Sequence, residues 1–110
     1  MAISAEEISF ATDLFSDLGQ ISTRRMMGGL CLYQAGVIFA LVYSDGQIYL
    51  KGANGFGDVL EAEGCSRWSY QREGAKPVSM PYWTLPDAAL DDPELACDWA
   101  RRALEHLTEA

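Results

Sequence analysis

Thr23-Arg24-Arg25-Met26-Met27-Gly28-Gly29-Leu30-Cys31-Leu32-Tyr33, followed by Gly36-Val37-Ile38-Phe39-Ala40-Leu41-Val42, is the stretch on which the fold of this chain turns. A basic pair leads into two methionines and two glycines, then into a nearly unbroken apolar run. Glycine weakens a β-strand and marks a bulge, a sharp bend or a close backbone approach. The segment reads as one strand, roughly Thr23 to Tyr33, interrupted at Gly28-Gly29. Gln34-Ala35-Gly36 makes a turn, and Val37 to Tyr43 is the next strand. Both faces of that strand are apolar, which places it centrally, with cover on each side.

Upstream, Ser4-Ala5-Glu6-Glu7 has the spacing of a capping box, flanked by Ile3 and Ile8 at staple positions. Ile8, Ala11, Leu14, Phe15 and Leu18 follow helical spacing, and Gly19 is a natural stop. Downstream, Asp45-Gly46 is the strongest hairpin signal, since this pair tolerates the positive φ angles of a type I′ turn. Gln47 to Lys51 is a third strand, with Ile48 and Leu50 facing away from Tyr49 and Lys51. A short helix follows from about Phe56 to Ala62, stopped at Gly64. Cys65 to Gln71 and Val78 to Leu85 are the fourth and fifth strands. Pro81 lacks a ladder donor, so the fifth strand is expected at an edge or bulged there. Asp92-Pro93-Glu94 opens the last helix with an N-cap, a proline at the first position and a favourable charge. The expected architecture is α+β: a mainly antiparallel five-stranded sheet with helices packed on it, in the order α-β-β-β-α-β-β-α, forming one domain over residues 1–110.

Bulk properties narrow the function. The chain has 110 residues, 49% hydrophobic, enough for one real core. A net charge of −8 disfavours direct binding to nucleic acid or an anionic membrane, both of which need a positive field. No apolar run approaches the roughly 20 residues of a membrane span, and the first residues lack the features of a signal peptide. Cys31, Cys65 and Cys97 have spacings unlike any zinc pattern and read as small apolar residues in a reducing compartment, so a cytoplasmic location is expected.

No chemistry is legible. His106 is the one histidine, and no second or third member of a catalytic triad can be named beside it. The carboxylates at Asp87, Asp91, Asp92 and Glu94 read as capping and solubility, and those at Asp58, Glu61 and Glu63 as an exposed helix side. The glycines of Gly52-Ala53-Asn54-Gly55-Phe56-Gly57 lack dinucleotide spacing. No enzyme activity, cofactor or metal is expected. Met26-Met27 has two readings, core packing beside the glycines or an adaptable recognition surface. Trp68, Tyr82, Trp83 and Trp99 read as core; a Trp83 exposed beside Pro81 would instead suggest an edge used for a partner.

These residues together resemble the N-terminal domain of the TfoX/Sxy family of bacterial competence regulators. The resemblance centres on Thr23-Arg24-Arg25-Met26-Met27-Gly28-Gly29, similar to the family's basic-Met-Phe-Gly-Gly segment, with Met27 in place of Phe. It continues through Leu32-Tyr33, Gly36 to Leu41, Ile48-Tyr49-Leu50-Lys51, Met80-Pro81-Tyr82-Trp83 and Trp99-Ala100. The chain ends soon after the last helix, without the second helical domain of full competence regulators, so a stand-alone member is expected. The resemblance implies an α+β domain, no catalysis, and action on transcription together with the cyclic-AMP receptor protein. Arg24, Arg25, Met26, Met27, Gly28 and Gly29 are the candidate partner-binding residues of a regulatory or adaptor domain, with Lys51 a further cation that could join them. The alternative is a self-associating, dimeric domain that binds a small ligand or acts like a chaperone, using the two-sided apolar strand and an edge at Pro81.

Overall fold

The structure, a computed structural model, describes residues 4–26, 29–43, 46–53, 55–70, 74, 76 and 78–108, with the backbone alone for Met26, Tyr70 and Val78. Six strands form one antiparallel sheet: β1 (Ile21–Met26), β2 (Gly29–Gln34), β3 (Val37–Tyr43), β4 (Ile48–Lys51), β5 (Arg67–Tyr70) and β6 (Val78–Thr84). Their spatial order is β1-β2-β3-β4-β6-β5. Three helices accompany them: α1 (Ala5–Leu14), α2 (Phe56–Ala62) and α3 (Pro93–Leu107).

The expected five-stranded sheet is thus corrected to six strands. The long first strand is two strands, β1 and β2, paired from Ile21↔Gln34 to Met26↔Gly29. A bend within one strand would keep the chain's direction, whereas Arg24 opposite Cys31 requires a reversal. Met27 and Gly28 lie outside the described residues. At Gly29 the glycine serves a close approach: a Cβ there would run into the backbone carbonyl oxygen of Val42 on β3.

The helix termini follow their sequence signals. Ser4 Oγ accepts from the Glu7 amide at 3.1 Å, and Glu7 Oε1 accepts from the Ser4 amide at 3.1 Å. Ile3, the other staple residue, is outside the described residues. The helix closes earlier than expected, at Leu14, and a 3-10 turn over Ser16–Leu18 leads to Gly19 at φ 98°. α2 has the expected bounds, with Gly64 at φ 90° beyond it. Asp92 Oδ1 caps α3 by accepting from the Leu95 amide at 3.2 Å.

β3 is covered on both sides, by different means. Phe39, Ala40 and Val42 join the helix-side core with Phe15, Leu50, Phe56, Trp99 and Ala103. The register shift between β2 and β3 leaves Phe39 as an extra residue, so Phe39 and its neighbour Ala40 both enter that core. Phe39 meets Phe15 edge-on, with ring centroids 5.3 Å apart. On the other face, Cys31, Leu41, Tyr49 and Tyr82 form a second cluster with Tyr33, Ile38, Tyr43, Trp68 and Met80 around it. No described helix contributes to that cluster. Trp68 of β5 lies 5.2 Å from Tyr43 of β3, although β6 and β4 stand between them. Three strand spacings amount to about 14 Å in a flat sheet. The sheet therefore curls, and its concave face is roofed by the indole of its own edge strand.

Pro81 resolves differently from one of the two expectations. β6 is an inner strand between β4 and β5, not an edge. The ladder to β5 is irregular there: Arg67 pairs with Trp83 and Ser69 with Ser79, so Met80, Pro81 and Tyr82 stand against Trp68 alone. The missing donor falls inside this bulge, while the Pro81 carbonyl accepts from the Gly52 amide at 3.0 Å. Trp83 is 6% exposed, so it is a core residue and not an edge marker.

Trp83 fastens α2 to the sheet. Its indole fills a slot between Gly52, at the end of β4, and Gly57, in the first turn of α2. A Cβ on Gly52 would stand 2.6 Å from the ring, and one on Gly57 would also overlap it. The ring nitrogen donates to Glu61 Oε2 at 2.7 Å, and the Arg67 guanidinium lies 4.8 Å from the ring centroid.

Two substitutions test this geometry. Gly57→Ala gains about 1 kcal/mol of helix propensity but overpacks a buried indole, so a net loss of about 1–3 kcal/mol is expected in denaturant unfolding. That loss should shrink when Gly57→Ala is made in a Trp83→Leu background, the signature of direct coupling. At the β2–β3 turn, Ala35 (φ 52°) and Gly36 (φ 80°) both have positive φ, as a type I′ turn requires. Ala35→Asn should therefore raise unfolding stability by about 0.5–1 kcal/mol, because asparagine bears the left-handed conformation better than alanine.

Candidate functional site

β1 is an outer strand, with β2 on one side and no described strand on the other. Ser22, Thr23, Arg24 and Arg25 are all exposed. Residues opposite one another in an antiparallel pair share a face. Arg24 stands opposite Cys31, which places it on the concave face; Arg25 stands opposite Leu30, which places it on the helix face. The arginine pair thus straddles the edge of the sheet. Among the described residues, neither arginine is in an ion pair; the one ion pair joins Arg101 to Asp98 at 3.2 Å.

The other expected partner-binding residues are placed less uniformly. Met26 follows on β1 opposite Gly29, and Gly29 is buried. Met27 and Gly28 are outside the described residues. Lys51 shares the concave face with Arg24, since it pairs with Tyr82. The split of Arg24 and Arg25 was available from the sequence, because neighbours in any strand point to opposite faces. The curl that brings Trp68 over Tyr43, Tyr49 and Tyr82 was not, because it depends on the non-sequential strand order.

The concave cluster is packed, not hollow. Cys31 and Leu41 are fully buried, Tyr82 is 4% exposed and Tyr49 8%. Burial pushes the Cys31 thiol above its ordinary value, with Lys51 opposing. Burial raises Tyr82 to about 12, with Cys31 and Tyr33 adding to the effect. Burial also raises Cys65 and Cys97. All three thiols are free and buried, and Cys97 Sγ donates to the Leu14 carbonyl at 3.5 Å. None is arranged as an activated nucleophile, which would need a lowered pKa and exposure.

His106, in the last turn of α3, stacks on Phe56 with centroids 5.0 Å apart. Among the described residues, no group of three or more His, Cys, Asp or Glu side chains could hold a metal. No helix of the described residues is long and apolar enough to cross a membrane. A surface depression of about 480 Å³ runs along α3, lined by Leu95, Asp98, Trp99, Arg101, Arg102 and Glu105. Its charges are of both signs and belong to one helix, so no polar groups converge there.

The architecture is that of an α+β domain with two exposed arginines on an outer strand of its sheet. The TfoX N-terminal domain model matches residues 13–107, and the chain belongs to that family. No curated protein matches the chain.

The buried acids give a pH prediction. A group whose pKa is raised by folding holds its proton more tightly in the native state, so its contribution is intact below the unfolded pKa and fades as pH rises. The contribution of the three thiols should be level up to about pH 9, where an unfolded thiol ionises, and stability should then fall as Cys31, Cys65 and Cys97 are drawn toward thiolate. Tyr82 should extend the fall from pH 10 to about 12. Denaturant midpoints measured across this range check the sign; a midpoint rising above pH 9 would contradict it.

Proposed function

We propose that this TfoX-family chain is a non-enzymatic regulatory or adaptor domain that works through protein–protein contact in an assembly controlling transcription. The observation that carries this reading is the run Ser22–Arg25: four consecutive exposed positions on an outer strand, with two arginines free of carboxylate partners among the described residues. An isolated basic pair on a protein of net charge −8 selects for a local acidic surface, not for the extended phosphate backbone of nucleic acid. The packed concave cluster and the raised thiols point away from a small-molecule reaction. Membership of the TfoX N-terminal domain family supports transcription control as the setting.

The test is capture from nuclease-treated lysate of the source organism, with the purified chain as bait. A specific protein should be retained by the native chain and lost on Arg24→Glu with Arg25→Glu. The circular dichroism and melting temperature of the variant should stay close to native, because exposed changes of this kind cost little stability. Equal capture by both baits, or none by folded native bait, would remove the reading.

A further inference from the structure

We propose that β1 is an acceptor edge for an extended acidic segment of a partner protein, which adds to the sheet as a seventh strand. The inference rests on the reading that Arg24 and Arg25 carry the partner contact, and it specifies the shape and charge of what they contact.

Shape follows from the position of the arginines. Arg24 points to the concave face and Arg25 to the helix face. A partner helix or flat surface laid on either face reaches only one of them. A strand running beside β1 reaches both, because its own successive side chains also alternate between faces. Residues directly opposite across such a pair are about 4.5–5.5 Å apart at Cβ. Two adjacent carboxylates on the incoming strand would then meet Arg24 and Arg25, one on each face.

The backbone of β1 suits this use. Its pairing with β2 is regular over all six positions, from Ile21↔Gln34 to Met26↔Gly29. A regular strand with one neighbour presents unpaired backbone groups along its free side. The opposite edge of the sheet differs: β5 is four residues long, and its ladder is broken beside Trp68.

Charge decides between an acidic partner and a second copy. If two copies of β1 paired antiparallel edge to edge, each sheet would keep its faces, so only residues of the same face could stand opposite: the two longest registers set Arg24 against Arg24, or Thr23 against Thr23. The first puts the two Arg24 side chains directly opposite one another and the second makes them same-face diagonal neighbours, a like-charge contact either way. Charged side chains on an edge strand discourage self-pairing in this way. The same two charges attract an acidic strand, and both pairs lie at an exposed edge, where salt weakens them.

A selection from a random peptide library against the purified full chain tests the proposal. The enriched peptides should carry two adjacent Asp or Glu residues among β-branched neighbours. Synthesised copies should protect β1 backbone amides from hydrogen exchange. Arg24→Glu and Arg25→Glu should each weaken binding roughly tenfold, and a peptide with Lys-Lys in place of the acidic pair should recover binding to the double variant. Methylating alternate backbone nitrogens of the peptide should abolish binding in one of the two alternating series and spare the other, since only one side of a strand pairs with β1. Peptides that need Arg24 and Arg25 yet tolerate both methylation series would overturn strand addition and leave the arginine contact standing. Enriched peptides that ignore the arginines, or no enrichment over the double variant, would overturn the proposal together with the reading beneath it.

Discussion

A sheet with two apolar faces and helices on only one of them must find cover for the other from its own strands. That constraint shapes this molecule. β3 is buried on both sides, so water has to be excluded from Leu41 as well as from Ala40 and Val42. The helix side is closed by α1, α2 and α3 in the usual way, with Phe15, Phe56 and Trp99 as the large fillers. The concave side is closed by curling, which carries Trp68 across β6 and β4 until it meets Tyr43. The irregularity at Met80, Pro81 and Tyr82 lies in the strand that must bend, and bulges increase local bend and twist.

Trp83 links the two sides of this arrangement. It leaves β6 toward the helices, while Tyr82 beside it enters the concave cluster. Its indole then occupies a slot that exists because Gly52 and Gly57 have no side chains. One residue thus joins β6 to the end of β4, to the start of α2, and through Arg67 to β5. An edge-strand arginine stacked over the indole and an acceptor at Glu61 leave the ring no unpaired polar atom.

The parts legible in the sequence were those set by neighbours in the chain. The Ser4–Glu7 box, the limits of α2 and the Asp92-Pro93 start of α3 depend on contacts within one turn, and local chemistry determines them. The split of β1 from β2 was less legible, because a glycine pair permits a bend and a reversal alike, and only the pairing of Arg24 with Cys31 distinguishes them. Pro81 offered two solutions, edge or bulge, and the choice depended on β6 inserting between β4 and β5. The Trp83 slot joins positions 52, 57, 61, 67 and 83, and no spacing rule brings those together. As for the candidate edge, its charge was visible in Arg24-Arg25, and its two-faced presentation follows from strand alternation. Its outermost position in the sheet was not visible.

The insertion of β6 between β4 and β5 also imposes an order of events on synthesis. Chains emerge N-terminus first, and the β1–β4 meander is complete in sequence once Lys51 has left the ribosome. At that moment one flank of β4 has no neighbour, and Leu41 and Tyr49 lack the roof that Trp68 provides. Both deficits are made good only when residues up to Thr84 are available. The nascent chain therefore passes through an interval in which an apolar sheet face and an unpaired β4 flank are open to water together. Gln47, just before that short strand, and Lys51, at its end, are polar, and polar residues flanking an apolar strand disfavour off-pathway pairing.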